Sequence, residues 1–260
     1  RLLQVLRDMA ARPIARGTLP DLEVDRGRFA GWLNVEREPG PFLSLGLCSE
    51  EWLSAALPSL LMAQDLALLS GSELVHGDLR SDNLCFLTER VVLVDWNCAR
   101  RGNAAFDLAA LAPSLRLEGG PLPDELAPAE GALGALVCGF FAANAGLRPI
   151  PDAPRVRWIQ QRQLRIALPW AARALGLPPP DGNWAREAQT KLDAALAEGA
   201  IDEAHWHAAM EEIVGDLYLS SDDPRAQAGK SGDEVDWRWA RELILDALPP
   251  KMQTCRLLDV

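Results

Sequence analysis

The stretch Val75-His76-Gly77-Asp78-Leu79-Arg80-Ser81-Asp82-Asn83, followed after an apolar interval by Leu93-Val94-Asp95-Trp96, decides how this chain is read. It sets an Asp and an Asn five positions apart, with a further Asp seventeen positions after the first. Between Asn83 and Asp95 lie Leu84-Cys85-Phe86-Leu87 and Val91-Val92-Leu93-Val94, separated by Thr88-Glu89-Arg90. That is the pattern of a hairpin of two short buried strands. A tight hairpin returns its last residue to its first, so Asn83 and Asp95 are expected side by side. Oxygen ligands alone suit a hard cation such as Mg²⁺. Asp78, in the loop just before, is placed to orient or deprotonate a hydroxyl. Phosphoryl transfer requires that set of groups.

The joint pattern resembles the catalytic loop and metal-binding Asp of the protein-kinase-like fold. Its His-Gly-Asp form is most similar to the aminoglycoside phosphotransferase and choline kinase branch, whose substrates are small molecules. A lone His-Gly-Asp is an ordinary turn; the order and spacing of His76, Asp78, Asn83, Asp95 and Asp107, with a hairpin between them, carry the resemblance. It implies a mainly α fold with a small β-hairpin (α+β), with Asp78 catalytic and Asn83 and Asp95 on the metal. His76 is expected to brace the loop rather than react. Asp107, in Phe106-Asp107-Leu108-Ala109, would support the catalytic loop from the next helix. The implied cofactors are ATP and Mg²⁺, and the implied partners are a nucleotide and a small-molecule hydroxyl substrate, with no residue marked for binding that substrate. Arg80 and Asp82 read as solvated turn residues.

One departure bears on activity. Residues 1–180 contain no lysine; the three in the chain are Lys191, Lys230 and Lys251. The resemblance implies an N-lobe strand lysine, paired with a helix glutamate, and a loop covering the nucleotide phosphates. Neither precedes the first helix, and arginine does not reproduce lysine's compact point charge. Residues 1–180 are therefore expected to be a kinase-like C-lobe with its N-lobe missing, weakly active or inactive alone. The chain opens on Arg1 rather than Met, which adds to the expectation of a preceding segment.

Composition narrows the remaining classes. The 260 residues are 48% hydrophobic and 24% charged, ordinary for a chain that buries a core. Of the net charge of −11, little belongs to residues 1–180, with 20 acidic and 18 basic side chains, and most to residues 181–260, with 17 and 8. Nothing is basic enough for nucleic-acid binding. The acidity reads as solvated helix surface. Cys48, Cys85, Cys98, Cys138 and Cys255 are scattered without a Cys-x-x-Cys pair, which argues against zinc or a disulfide framework and fits a reducing, cytoplasmic setting. His205 and His207 point to different faces of a helix. No signal peptide or membrane span is visible, and the most apolar run, Ala132 to Leu147, reads as a buried core helix.

Along the chain, Arg1 to Ala11 reads as a helix and residues 12–50 as mostly loop. Ser49 caps a helix from Glu50 to about Ser70, with Pro58 as a kink and Gly71 as its end. Leu74-Val75 is a short extended piece. Helices are expected over Phe106–Leu115, Ala129–Ala145 and Arg155–Ala174, with a loop over 117–128. Leu177-Pro178-Pro179-Pro180-Asp181-Gly182 is the candidate linker. Beyond it, acidic helices are expected over Asn183–Glu198 and Asp202–Leu217. A capping box at Ser231 and Glu234 then opens a helix to about Leu248. The closing Leu257-Leu258-Asp259-Val260 resembles the start of a class I S-adenosylmethionine-dependent methyltransferase, whose first strand runs into a glycine-rich cofactor turn. S-adenosylmethionine is implied only if the chain continues past Val260 into such a turn. Three readings stay open: a small-molecule kinase, a methyltransferase with a fused kinase-like part, and a non-catalytic kinase-like scaffold.

Overall fold

Helices dominate the computed structural model, which describes residues 1–128 and 130–220, and they are joined by two small antiparallel ribbons. The capping box, the helix to Leu248 and the methyltransferase-like strand of the sequence reading lie outside the described residues. Leu2–Ala10 forms α1 as expected. Its apolar face, with Met9, packs on Leu79, Leu84, Leu93 and Leu111, directly beneath the motif loop and hairpin.

The stretch expected to be loop holds more structure. Leu22–Asp25 makes a 3₁₀ turn, followed by Arg26–Phe29 (α2), Trp32–Arg37 (α3) and Gly40–Leu43 (α4). Each is too short to show a helical period in sequence, and each pins one aromatic ring, Phe29, Trp32 or Phe42, into the core. Trp32 donates its amide to Gln64 Oε1 at 2.9 Å and its Nε1–H to the Ala135 carbonyl at 2.8 Å. A Cβ on Gly31 would stand 1.9 Å from the Gly139 carbonyl oxygen, so this close approach requires glycine.

Helix α5 spans Glu50–Leu66, and Ser49 Oγ accepts the Trp52 amide at 3.0 Å, the expected N-cap. It ends at Leu66 rather than near Ser70. Ala67 is extended there and leads Leu69 into the core, while the Arg26 guanidinium binds the Gln64 and Ala67 carbonyls at 3.2 and 2.7 Å. A cation on the last carbonyls stabilises such an end.

Strand β1 (Glu73–Val75) leads into the motif. The hairpin is present as β2 (Leu84–Phe86) and β3 (Val91–Leu93), with Leu84 opposite Leu93. It is not buried throughout. Leu84, Val91 and Leu93 are buried, but Cys85 and Phe86 are exposed, because only its base packs on α1 and Leu111. Strand β4 (Arg100–Gly102) was not expected; it pairs antiparallel with β1.

Ala105–Leu117 is α6, and Pro123–Leu126 forms a helical turn, α7, inside the stretch read as loop. Gly131–Ala145 (α8) is the buried core helix the sequence indicated, packed against α5, α3 and Arg155–Ala174 (α9). Trp184–Ala197 (α10) and Glu203–Ser220 (α11) follow. Arg162 and Arg165 of α9 clasp Asp216 of α11 at 2.7 and 2.5 Å, with the carboxylate only 1% exposed. The proline-rich stretch between α9 and α10 is tied to the start of α5. There Trp52 Nε1–H reaches the Pro178 carbonyl at 3.0 Å and Ser49 meets Asp181 at 2.7 Å. The first compact unit runs Arg1–Leu219 and the second Ser220–Val260, so residue 180 lies inside the first. No helix among the described residues is long and apolar enough to cross a membrane.

Candidate active site

The motif loop between β1 and β2 is shaped by its glycine and by one carboxylate from α6. Gly77 has φ +77°, and a Cβ there would lie 2.2 Å from the Cys98 carbonyl oxygen. Only glycine fits between His76 and Asp78. Asp107, in the first turn of α6, spreads its two oxygens across the loop. One accepts the His76 amide at 2.6 Å, the other the Gly77 amide at 2.9 Å. Burial pushes this carboxyl up to about 6, against the pull of the two amide hydrogen bonds. At neutral pH it is the carboxylate that holds the loop.

His76 is fully buried, with its Nε2 2.8 Å from the Val94 carbonyl. A carbonyl only accepts, so Nε2 carries the proton. Nδ1 is buried with no hydrogen-bond partner among the described residues. The ring also leans on Trp96, centroids 4.6 Å apart. His76 therefore ties the motif loop to the far end of the hairpin.

Asn83 is 6% exposed and donates its Nδ2–H to the Asp78 carbonyl at 2.8 Å, leaving Oδ1 as an acceptor. Its own carbonyl accepts the Val94 amide at 3.1 Å. Together with the Leu84–Leu93 pair, that bond sets Asp95 next to Asn83 along the ladder. Asp95 is the sole non-glycine residue at positive φ among the described residues, at φ 63° and ψ 60°. Left-handed backbone away from glycine is costly and gathers at functional turns. Its exposed carboxylate accepts from Asn97 Nδ2 at 2.6 Å.

Among the described residues no three His, Cys, Asp or Glu side chains cluster to enclose a metal. Asn83 and Asp95 would together offer two oxygen ligands at most. That fits Mg²⁺, which keeps several waters and takes phosphate oxygens from its nucleotide rather than a full protein cage.

The Asp78 side chain is 33% exposed and its Oδ1 lies 3.8 Å from Arg80 Nε. It lines a cavity of about 270 Å³ whose wall does not include Asn83 or Asp95. Arg80, expected to be a solvated turn residue, also lines that cavity, besides pairing with Asp82 at 3.1 Å. Asp82 itself is exposed. The rest of the wall was not found in sequence. Phe29 comes from α2, Phe106 from α6, Phe140 and Phe141 from α8, and Gln160 and Gln163 from α9. No local pattern marks residues that meet only through tertiary packing. The apolar run containing Phe140-Phe141 was the one available signal, and it read as core.

Comparison with curated proteins finds no match. A model of the phosphotransferase enzyme family matches residues 1–133, about half the chain and a span holding all five motif residues. The match ends far short of the methyltransferase-like stretch, which has no support from it. With a His-Gly-Asp loop held by a carboxylate from the following helix, and a hairpin joining Asn83 to Asp95, the chain belongs to the phosphotransferase enzyme family.

Proposed function

We propose that residues 75–107 form the hydroxyl- and metal-handling half of an ATP-dependent phosphotransferase acting on a small-molecule hydroxyl. The reading rests above all on one arrangement. The Asn83 side chain binds the Asp78 carbonyl at 2.8 Å while its backbone holds the hairpin end that carries Asp95. The three groups are thereby fixed relative to one another, as in-line transfer demands. Asp78, at the cavity wall, orients the acceptor hydroxyl and takes its proton as the oxygen bonds to the γ-phosphorus and ADP departs. Asn83 Oδ1 and the Asp95 carboxylate would hold Mg²⁺, which would neutralise charge on the nucleotide phosphates. His76 and Asp107 position the loop without touching the reacting atoms. The partners on this reading are ATP and a small hydroxyl compound.

The test uses Asp95→Asn, since Asn accepts left-handed backbone as readily as Asp. Titration calorimetry is expected to show Mg²⁺-dependent ATP binding that weakens at least about tenfold in the variant, with stability unchanged within about 0.5 kcal/mol. Equal affinities would sink the metal role.

A second reading is a scaffold that binds nucleotide without turning it over. Single-turnover measurement separates the two. Transfer of the γ-phosphoryl to a hydroxyl, lost in Asp78→Asn, supports the enzyme; MgATP binding with no transfer supports the scaffold.

A further inference from the structure

We propose that the cavity beside Asp78 takes an acceptor with an apolar ring-sized body and one neutral amide-like polar group, and rejects acceptors bearing an ammonium. The inference rests on the reading of Asp78 as the group that meets the acceptor hydroxyl. Four phenylalanine rings, Phe29, Phe106, Phe140 and Phe141, form the body of the wall. Phe29 packs tilted against Phe106 and edge-on against Phe140 at centroid distances of 4.8 and 6.1 Å, a preformed apolar surface. At about 270 Å³ the space is at the small end for ligand cavities, sized for a ring or two rather than an extended oligosaccharide.

The charges of the wall run against amines. Asp78 is the sole carboxylate lining it among the described residues, and Arg80 Nε already stands 3.8 Å from that group. Arg28 adds a second guanidinium at the rim, above the Phe29 ring at 5.5 Å. An ammonium entering here would give up its hydration without gaining a carboxylate of its own, and would face two positive charges.

The polar requirement comes from Gln163. It is 3% exposed, lines the cavity, and forms no side-chain hydrogen bond among the described residues. Its neighbour one turn earlier differs: Gln160 Oε1 accepts from Arg157 Nη1 at 2.9 Å. Its amide nitrogen and oxygen are not sealed off but open to the cavity, where water or a ligand can pair with them. Gln163 offers one acceptor and two donors, the complement of a carboxamide or hydroxyl on the acceptor's far end.

Three matched probes isolate these features: 4-(hydroxymethyl)benzamide, benzyl alcohol and 4-(aminomethyl)benzyl alcohol. Their binding to the full chain is measured by ligand-observed NMR, which requires no turnover. The benzamide is expected to bind at least about tenfold tighter than the aminomethyl compound. Gln163→Leu should bring the benzamide down to the affinity of benzyl alcohol and leave benzyl alcohol within about twofold. Arg28→Glu, a change on the exposed rim that does not disturb the core, should raise the affinity of the aminomethyl probe. Equal or tighter binding of the aminomethyl compound to the unmodified chain overturns the proposal, as does an unchanged benzamide preference in Gln163→Leu, or no binding by any probe. The two readings fail differently. If the benzamide preference holds but MgATP never phosphorylates the bound alcohol, the phosphotransferase reading fails and the pocket assignment stands.

Discussion

Asp107 does the most for the site while remaining outside its chemistry, because a single carboxylate satisfies the amides of both residues that lead into Asp78. Burial raises its pKa to about 6, above the ordinary aspartate value near 4. Folding thus favours its protonated form. Its contribution to stability is greatest below about pH 4, declines as pH rises through about 6, and is level above that, a change of about 3 kcal/mol. Urea unfolding of the protein and of Asp107→Asn at pH 4 and pH 7.5 should show their stability difference moving by that amount, the unsubstituted chain losing ground at the higher pH. A difference that does not vary with pH contradicts the assignment. At Gly77 the expectation is steric. Alanine there combines positive φ with a Cβ 2.2 Å from a carbonyl oxygen, so Gly77→Ala should cost at least about 2 kcal/mol and show as a lowered urea midpoint. Both residues were legible in the sequence as parts of one spaced motif. The Arg80 side chain is 41% exposed, as a solvated turn residue would be, but its place on the cavity wall was not visible from its neighbours in sequence.

The elements that sequence revealed are those whose cause is local. The hairpin announced itself through two β-branched or aromatic runs around a polar turn, and α8 through uninterrupted apolar character. Strand β4 could not be found this way. Arg100-Arg101-Gly102 has no strand pattern, and the segment is held by β1 and by ion pairs of Arg100 with Asp25 at 2.7 Å and Arg101 with Asp21 at 3.0 Å, all distant in sequence. The helical turns α2 to α4 escaped for a related reason, since four to six residues cannot display a period of 3.6. The base of the hairpin joins packing to function. Leu93, 8% exposed and opposite Leu84, sits two residues before Asp95. Leu93→Ala should lower stability by about 2–4 kcal/mol and also weaken Mg²⁺-dependent ATP binding, although neither ligand is altered. Denaturation and calorimetry on the same preparation check both outcomes; stability loss with full ATP affinity separates the hairpin base from the metal position.

Across the molecule, α9 works on two faces. Val156, Ile159, Gln160 and Gln163 line the cavity, at the spacing of one helical stripe. Trp158, Arg162 and Arg165 lie on the other side and bind α11: Trp158 Nε1–H meets Glu212 at 2.8 Å, and the two arginines enclose Asp216. Removing one member of a buried ion cluster strands the rest. Asp216→Ala is accordingly expected to cost about 3 kcal/mol, read as a lowered midpoint in thermal or urea unfolding, and a change under 1 kcal/mol would mean the clasp carries little. Residues 203–220, expected in sequence as an acidic helix, are thus fastened to the element that carries Gln163 on the cavity wall. Arg162 and Gln163 are consecutive, so a small rotation of α9 that loosened the first would swing the second. Helix α11 thus acts as a set screw on α9: it lines no part of the cavity, yet it grips the helix whose opposite stripe does.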